Sequence, residues 1–147
     1  MFGIEHYGIV PDILTMAKAL GNGVPIGAFS TTDEIAASLN RPSASTFGGN
    51  PVSSATALAV LDYIEQEGLV ERSGRVGSRL IEGLKDLQNK YGVIADVRGK
   101  GLMAGAEIHG ASDQESAAWT DMLLERMKEE GFIIGKNGVG RNVLAFQ

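Results

Sequence analysis

The sequence predicts an α/β fold, and three observations support this. Residues 11–16 form a short apolar run typical of a buried strand, and a glycine-rich turn separates it from a second strand-like run at residues 26–30. Asn50 followed by Pro51 marks the start of a long helix, because asparagine is a favoured N-cap and proline fits the first helical turn. Open α/β sheets present functional groups at strand ends, so the residues after Met16 are the first candidates for a site.

The helices follow in order along the chain. Thr32 and Asp33 can cap a short helix. Residues 42–61 carry no charge, so the long helix that begins at Asn50 is expected to be buried on most sides. A further helix after Gly68 has apolar residues spaced by three or four positions. This spacing places five of them on one face: Val76, Leu80, Leu84, Leu87 and Tyr91.

The last third of the chain predicts a compact α+β layer. Ser112 and Glu115 form a capping-box pattern before another long helix, which ends at Gly131. Residues 93–146 are expected to contain strand, helix, strand and strand in that order. We therefore predict two domains, with residues 1–67 in the first and residues 68–147 in the second.

Composition narrows the class of protein. The 147 residues carry a net charge of −5 and no basic cluster, which argues against nucleic acid or an anionic membrane as the main partner. Cysteine is absent, so disulfides and thiolate metal sites are excluded, and this fits a reducing compartment. We find no signal-peptide pattern and no apolar run long enough to span a bilayer, so the expected location is cytoplasmic.

Lys18 is the only ionisable residue in residues 13–32. It is either a surface lysine whose stem lies along apolar neighbours or a lysine kept for chemistry. A buried lysine loses its proton more easily and becomes an amine nucleophile, as Schiff-base chemistry requires. Gly21, Gly23 and Gly27 do not indicate a dinucleotide site, because their spacing differs from the fingerprint and they precede a strand instead of a helix.

Three blocks of sequence carry a resemblance to a known family. They are AKALGNGVPIGA around Lys18, TFGGNP at residues 46–51 and DVRGKGLM at residues 96–103. In this order and at this separation they resemble the class III pyridoxal-phosphate aminotransferases, which include the acetylornithine, ornithine, 4-aminobutyrate and alanine–glyoxylate types. The resemblance runs from the first residue to the last. It implies an aspartate-aminotransferase-like fold (fold type I), with the end of the large domain followed by most of the small C-terminal domain.

The resemblance also implies roles for individual residues. Lys18 would hold pyridoxal 5'-phosphate as a Schiff base and act as the base in catalysis. Thr46, with help from Ser45, would contact the cofactor phosphate of the neighbouring subunit, at a turn where Gly48 and Gly49 offer free backbone N–H groups. Arg98, placed between two short elements, would bind a substrate carboxylate, unless it forms a structural salt bridge.

The activity implied is transfer of an amino group from an amino acid, often through its ω-amine, to a 2-oxo acid by a homodimer whose active site is shared across the interface. Two alternatives stay open: an amino-lyase or phospholyase on the same scaffold, or an inactive folding or dimerisation unit. The family's aspartate for the pyridine nitrogen, its ring-stacking aromatic residue and its first phosphate-binding loop all precede the position of Met1. We therefore expect this chain to be an internal part of a longer enzyme, cut at both ends.

Overall fold

The computed structural model describes all 147 residues and divides into two compact units. Unit 1 comprises Met1–Leu69 and unit 2 comprises Val70–Gln147. The domain boundary expected after residue 67 lies two residues before this division. That the two units correspond to the large and small domains of the resembled fold stays a prediction.

Unit 1 is built from a strand pair and two helices. Strand β1 (Ile13–Met16) pairs antiparallel with β2 (Ala28–Thr31), and the 3-10 turn Lys18–Gly21 lies between them in sequence. Helix α1 (Asp33–Ala37) and helix α2 (Pro51–Gln66) follow. The turn Lys18–Gly21 packs against α2.

Both predicted helix starts in unit 1 are present. The Thr32 hydroxyl oxygen accepts a hydrogen bond from the Ile35 N–H at 3.4 Å, which caps α1. The Asn50 side-chain oxygen accepts from the Ser53 N–H at 2.9 Å, and Pro51 is the first residue of α2. Each cap satisfies a backbone donor that has no partner within its own helix.

The expected burial of β1 and α2 is wrong for this chain. Ala57 is the only buried residue of α2, while Val52 and Leu58 are 72% and 62% exposed. The residues of β1 alternate between exposed and half-buried. The reason is that unit 1 has a sheet of only two strands and lacks a second apolar layer to cover the strands and the helix.

Unit 2 packs two helices with a four-stranded antiparallel sheet. Its sheet has the strand order β3–β4–β6–β5. The elements are α3 (Leu69–Lys90), β3 (Ile94–Lys100), β4 (Met103–Ile108), α4 (Asp113–Glu129), β5 (Gly135–Asn137) and β6 (Val143–Phe146).

The expected order of strands in unit 2 omits one strand. Two strands precede α4 instead of one, and Arg98, expected between elements, lies inside β3. Gly99 also belongs to β3, and it faces β4 so closely that a Cβ there would lie 2.5 Å from the Met103 carbonyl oxygen. The chain turns only after Lys100, at Gly101, which has a φ of +55°.

The core of unit 2 lies between its sheet and its helices. Ala106 and Ile108 of β4 are almost fully buried, and Leu84 of α3 belongs to the same cluster. The apolar face predicted for α3 is therefore correct only at Leu80 and Leu84, whereas Val76, Leu87 and Tyr91 remain exposed. By area removed from water, a fully buried Ile or Leu side chain contributes about 1.5–3 kcal/mol, so this cluster is the main source of stability in unit 2.

The predicted capping box of α4 is shifted by one residue. The Ser112 hydroxyl oxygen accepts from the Glu115 N–H at 3.2 Å, as expected. The Glu115 carboxylate, however, accepts from the N–H of Ala111 at 2.6 Å instead of from the N-cap residue itself. The helix ends as predicted just before Gly131, which has a φ of +87°.

Candidate functional site

Lys18 follows β1 after one intervening residue and opens the 3-10 turn Lys18–Gly21. Its φ is +52°, in the left-handed region that residues with a side chain rarely adopt. Ala17 before it is extended, with φ −157° and ψ −166°. A left-handed conformation of this kind costs about 1–3 kcal/mol and persists only where the surrounding structure imposes it, which is a common property of functional sites.

The side chain of Lys18 is exposed and free of ionic partners. None of the ion pairs in the structure includes it. Its surroundings within unit 1 therefore do not bury the amine, although the sequence around it is apolar. The burial that would favour the reactive, unprotonated form of a lysine is therefore absent within this chain. The absence of an ionic partner leaves Nζ free to reach the carbonyl carbon of a ligand.

The turn that carries Lys18 is held by its own hydrogen bonds and by packing. The Leu20 N–H donates to the Ala17 carbonyl oxygen at 3.2 Å, and the Asn22 N–H donates to the Ala19 carbonyl oxygen at 3.1 Å. Gly21 ends the turn and is buried. These contacts hold the backbone of Lys18 in place just after the end of β1.

The turn at residues 45–48, which was predicted to bind a phosphate, is present, but its Gly48 N–H already makes hydrogen bonds within the turn. The Gly48 N–H donates to the carbonyl oxygen of Ser45 at 3.3 Å and to its hydroxyl oxygen at 3.1 Å. The expectation that Gly48 offers a free N–H is therefore wrong, because the turn closes on itself through Ser45. The hydroxyl of Thr46 is exposed and has no part in the hydrogen bonds of this turn, so it remains available to a ligand.

Lys18 and Thr46 both belong to unit 1. Each of them lies on a turn next to helix α2. The helix packs against the turn Lys18–Gly21. It begins at Pro51, directly behind its cap residue Asn50 and shortly after the turn that contains Thr46. One candidate residue therefore lies on a turn packed against α2, and the other lies just before the N-terminus of the same helix.

Arg98 is held by two carboxylates within unit 2. Its Nη1 donates to Asp96 Oδ2 at 2.5 Å and to Glu107 Oε2 at 2.8 Å. Asp96 first, and then Glu107, raise the pKa of the Arg98 guanidinium through these hydrogen bonds. The structure therefore contains the salt bridge that was one of the two roles expected for Arg98. Its other expected role, binding of a substrate carboxylate, stays a prediction.

The sequence contains a signal for one of these two partners, Asp96, in its spacing from Arg98. Residues two apart in a strand point to the same face, so Asp96 and Arg98 become neighbours once β3 is recognised. Asp96 also stands opposite Glu107 in the register of β3 and β4. The position of Glu107 follows from that register, which residue patterns alone do not specify.

Two residues of unit 1 carry groups that suit the carbonyl and the phosphate of one kind of cofactor, without having to act on the same cofactor molecule. The Lys18 amine can bond covalently to the carbonyl carbon, and an exposed hydroxyl such as that of Thr46 can donate to a phosphate oxygen. The structure contains no cluster of side chains able to hold a metal ion.

Comparison with models of protein families shows to which family the chain belongs. The model for class III aminotransferases matches residues 1–147, which is the whole chain. This chain belongs to the class III aminotransferases. Enzymes of this family depend on pyridoxal phosphate, so the cofactor expected from the sequence is confirmed at the level of the family.

Two curated relatives illustrate the similarity. The chain is 49% identical over 147 residues to a protein of Arabidopsis thaliana named alanine–glyoxylate aminotransferase 2 homolog 2, mitochondrial, with 97% of this chain and 30% of the relative covered. It is 44% identical over 146 residues to the acetylornithine aminotransferase of Caldanaerobacter subterraneus, with 99% and 35% covered. The chain therefore spans about a third of the length of these relatives.

Solved structures support the predicted fold class. A phospholyase from Arthrobacter, solved in complex with phosphoethanolamine, superimposes with a TM-score of 0.93 at 37% identity, covering 99% of this chain and 36% of that one. The acetylornithine aminotransferase of Elizabethkingia anophelis gives a TM-score of 0.86 at 32% identity, covering 98% and 35%. The α/β, aspartate-aminotransferase-like prediction is thereby confirmed. No helix of the chain combines the length and apolar content needed to cross a membrane.

Proposed function

We propose that this chain is the lysine-bearing part of a pyridoxal-phosphate-dependent transaminase, which moves an amino group from an amino acid to a 2-oxo acid. The observation that carries the proposal is Lys18: an exposed amine without an ionic partner, in a left-handed conformation at a strand end, within a chain matched over its whole length by the class III family. Because the chain covers about a third of each relative, the activity is proposed for a longer protein that contains it.

Pyridoxal phosphate, when bound, supplies an electron sink for negative charge that develops on the substrate carbon bearing the amine. The chain's own part in the reaction falls to Lys18. Its Nζ would hold the cofactor covalently and, once released from that bond, would take a proton from the substrate carbon and return it at another position. The exposure of this side chain gives it room for both roles.

We place Thr46 on the cofactor phosphate of a second subunit, so that two copies of the protein complete each site. Its exposed hydroxyl can donate to a phosphate oxygen, and the backbone turn from Ser45 to Gly48 holds it in place. Ser45 has a smaller part, because its hydroxyl oxygen already accepts the Gly48 N–H. The homodimer is therefore a functional requirement of this proposal.

Arg98 is proposed to bind the carboxylate of the amino acid or of the 2-oxo acid. Guanidinium carries five donors, and the hydrogen bonds to Asp96 and Glu107 both use Nη1. The remaining donors suit a carboxylate, although the neighbouring negative charges would oppose it. An Arg98→Gln substitution that lowers stability and leaves substrate KM unchanged would assign this residue to the structural salt bridge alone.

A second candidate is a phospholyase, favoured by the TM-score of 0.93 with the Arthrobacter enzyme. On that alternative the same Lys18 proton transfer leads to loss of a phosphate group from the substrate instead of amino transfer to an acceptor. The two functions differ in their products: a transaminase consumes one 2-oxo acid for each amino group moved, whereas a phospholyase releases inorganic phosphate without an acceptor.

The experiment uses the full-length protein that carries this chain, loaded with pyridoxal phosphate. It is mixed with amino acids bearing α- or ω-amines, with and without a 2-oxo acid, and separately with phosphoethanolamine. Acceptor-dependent formation of a new amino acid is the expected result, and Lys18→Ala should abolish it. Phosphate release without an acceptor would favour the phospholyase, and turnover by Lys18→Ala would contradict both functions.

A further inference from the structure

The turn that carries Lys18 has a residue with left-handed backbone conformation at each end. Lys18 has a φ of +52°, and Asn22, the residue that caps the turn, has a φ of +44°. Lys18 is strained in this conformation, whereas asparagine adopts it more readily than most residues do. Packing elsewhere in the turn must therefore keep it in this form.

That packing is centred on Gly21 and Ile26. Gly21 is buried, and a Cβ built on it would lie 2.7 Å from Cγ2 of Ile26, well inside van der Waals contact. Ile26 is β-branched and therefore stiff at χ1, so its methyl group has little freedom to move away. The Val24 N–H donates to the Gly21 carbonyl oxygen at 3.0 Å and closes the next turn, which returns the chain to Ile26.

We propose that Gly21, packed under Ile26, is a positioning residue for the Lys18 amine; this inference rests on the proposed function of Lys18. In a 3-10 turn, residues three apart lie above one another, so Lys18 and Gly21 occupy the same edge of a single turn. A side chain at position 21 must push the turn away from Ile26. Because the turn has only four residues, that displacement reaches Lys18 directly.

The test compares two glycine-to-alanine variants of the full-length protein. Gly21→Ala introduces the contact with Ile26, whereas Gly27→Ala is the matched control, because a Cβ there would meet only the Met16 carbonyl oxygen at 3.8 Å. Each variant is assayed for kcat and for the rate at which pyridoxal phosphate attaches to Lys18, measured by borohydride trapping. Thermal unfolding is recorded in parallel to separate positioning from stability.

We expect Gly21→Ala to lower kcat and the attachment rate by about tenfold to a hundredfold, the range typical of misplaced reacting groups, with little change for Gly27→Ala. Removing the obstructing methyl in the double variant Gly21→Ala/Ile26→Ala should restore most of the loss. Equal effects of the two alanine variants, or a fall in thermal stability with kcat and attachment unchanged, would overturn the inference.

A second variant keeps the test decisive if Gly21→Ala does not fold. Ile26→Ala removes the side chain that packs over Gly21 and should lower kcat and the attachment rate, because the turn then loses this support. Unchanged kcat and attachment rate in Ile26→Ala would overturn the inference. Failure of the proposed function has a different signature, which is turnover by Lys18→Ala; an inactive Lys18→Ala beside a fully active Gly21→Ala would refute the positioning role alone.

Discussion

For individual residues, the chemistry depends on which polar groups the fold leaves free. The Lys18 amine has no ionic partner and the Thr46 hydroxyl takes no part in its turn, whereas Gly48 and Arg98 are already engaged. The residues with free groups are therefore the ones most directly open to a ligand. Their roles differ, since Lys18 would bond covalently and Thr46 would donate a hydrogen bond.

We predict that Thr46→Ala in the full-length protein weakens the affinity for pyridoxal phosphate. Removal of a hydrogen bond to a charged group costs about 1.5–3 kcal/mol, which corresponds to roughly a tenfold to a hundredfold rise in Kd. Thr46→Ser is the matched control, because it keeps the hydroxyl and should bind nearly as well as the parent. Equilibrium titration with the cofactor gives both values, and equal affinities for the alanine and serine variants would remove Thr46 from the site.

The shared site can be tested by mixing the Thr46→Ala and Lys18→Ala variants at a pyridoxal phosphate concentration too low to load the Thr46→Ala homodimer. If Thr46 acts across the dimer, a heterodimer of one Thr46→Ala subunit and one Lys18→Ala subunit contains one site with both residues intact. Activity should therefore reappear when the two variants are unfolded together and refolded as a mixture. Absence of recovery, with heterodimers present by mass, would place both residues of a site in one subunit.

Sequence motifs identified the candidate residues, but they did not predict how the residues are held. The left-handed φ of Lys18 and the use of the Gly48 N–H by Ser45 depend on how a short loop closes, which no residue pattern in the sequence specified. The partners of Arg98 required the register of two strands. Residue type is local information, whereas hydrogen-bond partners depend on tertiary structure.

Among the helices and strands, α3 passes very close to the turn between β3 and β4. A Cβ on Gly77 would lie 1.9 Å from the Gly101 carbonyl oxygen, and the Leu102 N–H donates to the Ser73 hydroxyl oxygen at 3.2 Å. The helix can approach so closely only because residue 77 has no side chain. The contact is with backbone atoms, so a side chain there cannot be accommodated by a rotamer change.

We predict that Gly77→Ala destabilises the full-length protein, by about 1–3 kcal/mol or more, as overpacked sites do. Gly74→Ala and Gly83→Ala are matched controls in the same helix, since a Cβ at either position meets nothing within 4 Å. Alanine favours a helix over glycine by up to about 1 kcal/mol, so the controls should be neutral or stabilising. Denaturant unfolding measures all three, and a neutral Gly77→Ala would contradict the observed packing.

A salt bridge links α4 to β5 and predicts a pH dependence. Lys136 donates a hydrogen bond to Asp121, which lowers the pKa of that carboxyl below its ordinary value; Arg141, at 3.9 Å, adds a weaker attraction. A carboxyl whose pKa is lower in the folded than in the unfolded state stabilises the fold at pH values above the unfolded pKa of about 3.9. This stabilisation is lost as the pH falls through the folded pKa. Lys136→Gln should therefore reduce stability at neutral pH more than at acid pH.

The control for this pH dependence is Arg141→Gln, which should have a smaller effect because Arg141 makes no hydrogen bond to Asp121. Denaturant unfolding at neutral pH and at the lowest pH at which the protein stays folded compares the variants as Asp121 titrates. A stability loss for Lys136→Gln that is the same at both pH values would show that the salt bridge does not contribute.

Element starts were predicted well because they depend on local chemistry. Thr32, Asn50 and Ser112 cap their helices as expected, since each supplies a side-chain acceptor to a nearby N–H. Burial was predicted poorly for α2, because it depends on what covers the helix. The continuation of β3 through Arg98 and Gly99 was missed for a similar reason, since the glycine indicates a loop unless the pairing with β4 is known.

Taken together, the two units of the molecule differ in how much core they contain. Unit 2 buries Val97, Ala106, Ile108 and their neighbours, whereas Ala57 is the only buried apolar side chain of unit 1. Unit 1 also exposes large apolar side chains, including Phe29, Phe47, Val52, Leu58 and Tyr63. Exposed apolar surface of this kind favours association with another protein surface.

We predict that the chain expressed alone does not catalyse transamination and that it associates or aggregates. Hydrogen exchange should be slow only in unit 2, after about residue 68, because slow exchange follows buried and well-packed structure. Size-exclusion chromatography with mass detection gives the association state. Uniform protection in a monomer that also shows acceptor-dependent turnover would contradict this prediction.

The most direct measurement of the proposed chemistry is the location of the cofactor's covalent bond. The full-length protein loaded with pyridoxal phosphate is reduced with borohydride, digested, and analysed by mass spectrometry. The reduced adduct is expected on Lys18, and the Lys18→Ala variant is expected to carry none at any position of this chain. An adduct on another lysine, or one that persists in Lys18→Ala, would contradict the assignment of Lys18 as the cofactor's lysine.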